Sequence, residues 1–183
     1  MTIFIDANVL YRISDVDLLF TLAEAGLVDI RYSAYVEGEA IRNLLANRGD
    51  HDAVRRRFRS MREAFADSYL PHVDRGKIAY GLRDQDDEQV VFDAVRAAAT
   101  HLATYNLRDF RSPGIPTGLE VRAPTELVNE LAESWPPTDL GIVMEEWRVA
   151  KNRPSRTQQE LLNDLTAWGY DRFARVLARE WGG

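Results

Sequence analysis

The chain contains no cysteine, and that single absence removes disulfides, thiolate nucleophiles and thiolate-bound zinc together. Histidine is scarce as well. His51, His72 and His101 are scattered, with none of the spacing a zinc site requires, and they read as surface or packing residues. Any metal must therefore be held by oxygen. No apolar run approaches the ~20 residues that a membrane span needs, and the N-terminus lacks a basic region followed by a long apolar segment and a cleavage site. The expectation is a cytoplasmic protein with no membrane contact. The chain also lacks the positive excess with which a protein coats nucleic acid by bulk attraction, since its net charge is −6. Its 183 residues suit one α/β domain with a small appendage, and two full domains would be crowded.

What is present starts with Ile3-Phe4-Ile5, an unbroken bulky row that suits a strand covered on both faces. Asp6 is the first charge on leaving it. In open α/β sheets ligands gather beyond the carboxyl ends of the strands, so this acid faces the usual place for chemistry. Phosphotransferases with a strand-end aspartate nucleophile commonly carry a second aspartate two residues on, where this chain has Asn8. Asp6 is then either one ligand of a carboxylate set or a cap for the following turn or helix.

Taken in order, Ser14 or Asp15 caps a helix carrying Val16, Leu18, Leu19, Leu22 and Ala23, which Gly26 ends. Val28 to Ser33 alternates as a second strand. Strand, helix, strand implies a parallel pair, and hence the doubly wound α/β class. Ser33 opens a second helix in which Glu39 and Asn43 share a face with Arg42 beside them. Glu39 either pairs with Arg42 at the surface or reaches across the strand ends toward Asp6 with Asn43 steadying it. Residues 52–70 read as a basic helix with Val54, Phe58, Met61 and Phe65 as its buried stripe, interrupted by Pro71. Over residues 42–62 seven arginines (Arg42, Arg48, Arg55, Arg56, Arg57, Arg59 and Arg62) face only Asp50 and Asp52, a local balance of +5 that leaves −11 for the rest. Such a run is a solvated helix face or a phosphate contact.

A turn over Gly76 to Gly81 leads to Asp84-Gln85-Asp86-Asp87-Glu88 and an alanine-rich helix. One cap does not require several acids, and carboxylates that repel one another are costly unless a cation or exposure relieves them. Leu102 to Thr104 forms a further parallel strand that opens into Tyr105-Asn106-Leu107-Arg108-Asp109, another set of oxygen ligands or an Asx-rich loop. Gly118 to Ala123 reads as the edge strand, followed by a helix from Pro124. Beyond Trp135-Pro136-Pro137, residues 138–183 read as two or three helices, the first with a stripe of Val143, Trp147 and Ala150, the next beginning at Pro154-Ser155. About 45 residues bury too little to stand alone.

Four of these fragments, Phe4 to Leu10, Glu39 to Leu44, Asp84 to Val90 and Thr104 to Phe110, come in the order found in PIN-domain nucleases, and the chain resembles the VapC-type ribonuclease toxins of toxin–antitoxin pairs. The resemblance implies a PIN-like three-layer fold over residues 1–134, a central parallel sheet flanked by helices, with a helical extension over 138–183. It implies an endoribonuclease that cuts tRNA, rRNA or mRNA, a cognate antitoxin, and a homodimer. Carried over by position, Asp6, Glu39 and Asp87 match the family's acids. The fourth is Asn106 or Asp109, because relatives with Asn at the former place the acid at the latter. Phosphodiester hydrolysis suits such residues, since Mg²⁺ or Mn²⁺ on carboxylates activates water and stabilises the leaving oxygen. Asp6, Asp87 and Asp109 are then metal ligands, Glu39 holds the ion or orients the water, and Thr104 holds a ligand or touches substrate. Asn43, Asn106, Arg42 and Arg108 position the strand, and Arg55, Arg56, Arg57, Arg59 and Arg62 meet its phosphates or grip an acidic inhibitor. The alternative is an inactive PIN-like module that binds RNA or protein.

Overall fold

The computed structural model describes residues 1–47, 50–151 and 156–182. Arg48 of the basic run and the Asn152 to Ser155 turn expected to open a C-terminal helix lie outside the described residues. The chain divides into two compact units, one made of Met1–Leu19 and Val28–Ala123, the other of Phe20–Leu27 and everything from Pro124.

The first unit is built on a five-stranded parallel sheet flanked by helices, the α/β architecture expected from the sequence. Its strands are Thr2–Ile5 (β1), Asp29–Ser33 (β2), Tyr69–Leu70 (β3), His101–Ala103 (β4) and Glu120–Arg122 (β5), in the order β3-β2-β1-β4-β5. Every pairing is parallel: Ile3 lies opposite Ile30 on one side and His101 on the other. β1 is therefore central, and Ile3, Phe4 and Ile5 are fully buried, as a strand covered on both faces requires. The chain first winds outward through β2 and β3, then returns to the other side of β1 for β4 and β5. That reversal puts the topological switch point between β1 and β4, where α/β sheets open a crevice at the strand ends.

The helices follow the apolar spacing. After a single-turn helix at Ala7–Leu10 (α1), the turn or helix that one reading of Asp6 has it cap, come Ile13–Glu24 (α2), Ala34–Asn47 (α3), His51–Ala64 (α4) and Gln85–Arg96 (α5). Gly26 follows α2 with φ +72°, a conformation glycine adopts without steric cost. In α4 the buried stripe is Val54, Phe58 and Met61, and Asp50 caps it by accepting from the Ala53 N–H at 2.8 Å.

Residues 52–70 are not one helix. α4 stops at Ala64, Phe65 serves as its half-buried C-cap, a 3₁₀ turn covers Ala66–Ser68, and Tyr69–Leu70 joins the sheet as β3. Pro71 accounts for the last step, because a residue before proline is pushed out of the helical region into extended backbone. Leu70 is thereby free to pair with Ser33, and the Tyr69 ring packs edge-on against Tyr32 at 5.6 Å.

The second unit carries the helices Pro124–Ala132 (α6), Pro137–Lys151 (α7), Gln158–Ala167 (α8) and Asp171–Trp181 (α9). Its buried residues include Leu127, Leu140, Met144, Trp147, Leu161, Leu165, Phe173 and Leu177. The stripe of α7 is thus Leu140, Met144 and Trp147, not the expected Val143, Trp147 and Ala150, since Val143 is half-buried and Ala150 exposed. Both sets share Trp147 and fit helical spacing, and packing selects the larger side chains. Thr157 and Glu160 form a reciprocal capping box that starts α8. The N-terminus of α9 has no cap of its own. Asn129 of α6 supplies one, its Oδ1 accepting from the Arg172 and Phe173 N–H groups at 3.0 Å while its Nδ2 donates to Gly169 O at 2.9 Å. No helix among the described residues is long and apolar enough to cross a membrane.

Candidate functional site

β1 and β4 lie side by side and parallel, so their carboxyl ends deliver Asp6 and Thr104 to one place. Asp6 N donates to Ala103 O at 3.0 Å, which fixes the exit of the two strands. The Asp6 carboxylate is then held from three directions. The Ala7 N–H donates to Oδ1 at 2.6 Å, while Asn8 Nδ2 at 2.6 Å and Thr104 Oγ1 at 2.7 Å both donate to Oδ2. A carboxylate has about four acceptor positions, so these bonds leave one, on Oδ1. Asp6 does cap α1, as one reading of the sequence had it, and still presents an oxygen with a lone pair to spare.

Asn8 organises this corner. Its Nδ2 also donates to Thr104 Oγ1 at 2.9 Å, and its Oδ1 accepts from the Tyr105 N–H at 3.0 Å, so one amide joins the loops after β1 and β4. Thr104 is fully buried, its hydroxyl proton given to Asp6 and its lone pairs taken by Asn8 and the Asn106 N–H. Its hydroxyl is therefore spent on holding Asp6 and the loop after β4. Further out, the Tyr105 hydroxyl donates to the buried Asp15 at 2.8 Å while Arg12 lies over its ring at 4.5 Å. Sequence reading used Asn8 only to exclude a nucleophilic aspartate. Its signal was its place two residues after the strand-end acid.

The other acids approach from α3, α5 and the loop after β4. Burial pushes Glu39 above the usual carboxylate range, the charges of Asp6 and Asp86 raise it further, and Arg42 opposes them. Glu39 thus feels both Arg42 and Asp6, the two neighbours between which its sequence position could not choose. Asn43 is exposed, offers its backbone carbonyl to Asn47, and among the described residues makes no side-chain hydrogen bond to Glu39. In the acidic run each residue has its own task. Asp84 is the N-cap of α5, accepting from the Asp86 N–H at 2.9 Å, and Asp86 accepts from the Tyr35 hydroxyl at 2.6 Å. Glu88 is buried and turned away from the acids, accepting from the Tyr80 N–H and, at 2.8 Å, the Leu82 N–H. It anchors the preceding loop to α5, a role that only the fold reveals.

Asp87 is raised by burial and by four neighbouring acids. Burial raises it first, then the charges of Asp6, Asp84, Asp109 and Glu39, and together they push it up to about 7. Asp6 is raised as well, by burial against the pull of its three donors. Asp109 is exposed in the turn that follows β4, where its N–H donates to Asn106 O at 3.2 Å. Four carboxylates from four separate segments therefore share one electrostatic environment.

The donor chemistry of this set fits a hard divalent cation, because every candidate donor is oxygen and no thiol or imidazole competes. Among the described residues no three His, Asp or Glu side chains stand in an arrangement that could already hold a metal ion. The expected arginines divide into two sets. Arg62 is committed to the buried Glu37 at 3.3 Å and Arg57 to Leu10 O at 2.9 Å, whereas Arg55, Arg56 and Arg59 are exposed and, among the described residues, engaged by no ion pair. Compared with known proteins, the chain matches no family model, no curated protein and no solved structure.

Proposed function

We propose that the chain is a divalent-metal-dependent endoribonuclease of the PIN class, the toxin of a toxin–antitoxin pair. The observation that carries this reading is the convergence of acids at the switch point of a parallel sheet, where burial and the charges of Asp6, Asp84, Asp109 and Glu39 raise Asp87, and burial and the charges of Asp6 and Asp86 raise Glu39. Carboxylates left to raise one another cost stability unless a cation relieves them, and a site that accepts this cost is built to receive one. Asp6 and Asp87 would hold Mg²⁺ or Mn²⁺, with Glu39 and Asp109 beside them. An ion bound there supplies a water made nucleophilic and charge stabilisation for the leaving oxygen of a phosphodiester.

The chain's own residues do the rest. Ala7, Asn8 and Thr104 fix Asp6 in one orientation, so its spare lone pair needs no reorganisation on binding. Exposed arginines on α4 give an acidic protein a basic approach for RNA. The antitoxin and the homodimer enter through the family resemblance.

One observation favours a second reading, a PIN-like module that binds without cutting: no three of the acids are arranged to hold an ion. An assay of the purified chain with Mn²⁺ against tRNA, rRNA and mRNA separates the two. The nuclease reading expects cleavage that EDTA abolishes and that Asp6→Asn or Asp87→Asn lowers at least a hundredfold. Binding without cleavage gives the second reading, and cleavage unchanged in Asp6→Asn refutes the site.

A further inference from the structure

Beside the carboxylates lies a cavity of about 320 Å³ lined by Gly81, Leu82, Arg83, Arg108, Asp109 and Arg111. Its walls are two loops, one before α5 and one after β4. Three guanidiniums against a single carboxylate give the lining a balance of +2. Arg83, Arg108 and Arg111 are all exposed, and among the described residues none of them is held by an ion pair or a side-chain hydrogen bond. Elsewhere in this unit Arg12, Arg31, Arg62 and Arg96 each have a carboxylate partner, and Arg55, Arg56 and Arg59, engaged by no ion pair among the described residues, lie on the exposed side of α4 and line no part of this cavity. The cavity thus gathers three cations without using them internally.

The walls are fixed to each other. Ser112 Oγ donates to Tyr80 O at 2.6 Å and accepts from the Gly114 N–H at 3.1 Å. Gly114 sits so close to the first loop that a Cβ there would stand 2.1 Å from Tyr80 O, so only glycine allows the approach. Gly81 has φ +76°, and a Cβ on it would meet Ser112 Oγ at 3.2 Å. On the far side the buried Glu88 takes the Tyr80 and Leu82 N–H groups and ties this loop to α5. Arg83 and the pair Arg108 and Arg111 are therefore presented by a braced frame.

We propose that this cavity is a phosphate-binding subsite for the strand cut at the neighbouring carboxylates, taking a phosphate one or more nucleotides from the scissile bond. The inference rests on the nuclease reading for its location and names the substrate that the site requires, a polynucleotide with a phosphate beyond the bond that is cut. Asp109 joins the two places, since it lines the cavity and its charge acts on Asp87. Guanidiniums suit phosphate because their planar forks donate to two oxygens at once, and the volume also admits the attached sugar, being within the roughly 300–1,000 Å³ of small-molecule sites.

The test is binding of a fluorescent single-stranded RNA in EDTA, so that no strand is cut, to the full chain and to an Arg83→Gln/Arg108→Gln/Arg111→Gln variant whose fold is checked by its melting curve. A single neutral methylphosphonate is walked along the RNA. At one position beyond the bond found to be cut in Mn²⁺, the wild type loses about tenfold in affinity while the variant loses nothing further, and the variant's salt slope is lower by roughly 0.7, the amount for one phosphate on a single strand. Losses that are the same in both proteins at every position overturn the subsite. So does an acidic peptide that competes for the cavity without any such paired position. Paired binding without cleavage in Mn²⁺ keeps the subsite and removes the nuclease, and cleavage without pairing does the reverse.

Discussion

Replacing Asp87 by asparagine is expected to stabilise the fold while destroying the site, and the effect has a pH signature. The folded chain pushes Asp87 up to about 7, whereas an unfolded chain leaves an aspartate near 3.9. Between about pH 4 and 7 the native state keeps a proton that the unfolded state gives up, so stability falls as pH rises through that window, with the whole penalty present above it. Three pH units correspond to a ceiling of about 4 kcal/mol. Asp87 is only half-buried, and solvent screening reduces this to about 2 kcal/mol. Asparagine also gives up a favourable charge at the N-terminus of α5, worth about 0.5 kcal/mol. The net gain near pH 8 is about 1.5 kcal/mol, or roughly 3–6 °C in melting temperature for a chain of this size.

Thermal melts of both proteins from pH 4 to 8.5 read this directly, because the difference between them cancels the groups that do not interact with Asp87 and keeps those that do. The asparagine variant should melt higher at pH 8, the gap should close toward pH 4, and millimolar Mg²⁺ should raise the wild type alone. A variant that melts at or below the wild type at pH 8, or a gap that does not move with pH, would show that the acids are not strained against one another. The case for a cation site would then lose its physical basis.

Thr104→Ala should cost about 1–3 kcal/mol in urea unfolding, because it strips a donor from Asp6, leaves the Asn106 N–H without its acceptor and leaves Asn8 Nδ2 with Asp6 as its one acceptor. Thr104→Ser, which keeps the hydroxyl, should recover most of that loss, and equal costs for the two variants would assign the effect to the methyl group. Gly114→Ala should destabilise by about 1–3 kcal/mol through the forced overlap with Tyr80 O, and should weaken RNA binding in EDTA by loosening the arginine loop. A variant with wild-type stability and affinity would mean that the two loops are not braced at that point.

What could be read from the residues alone was whatever depends on near neighbours. The apolar row ending in Asp6 gave both the central strand and the acid at its exit, because burial on two faces leaves a local mark in composition. β3 left none. Its two residues lie at the end of a basic helix whose periodicity runs into them, and only the backbone restriction imposed by Pro71 and the partner strand from Ser33 make Leu70 extended. The site shows the same division. The acidic run was visible as a count of carboxylates, but direction was not, and direction is what separates its members. Asp87 and Glu88 are adjacent and both acidic, and one helical step of about 100° turns the first toward Asp6 and the second into a buried loop anchor. Thr104 and Asn8 are 96 residues apart and meet only because Ile5 pairs with Ala103 in the sheet. A carboxylate's role in this chain is therefore set by strand register and helix phase, and a one-residue insertion or deletion that shifts either should exchange the charged site for a capped or buried one without changing a single acid.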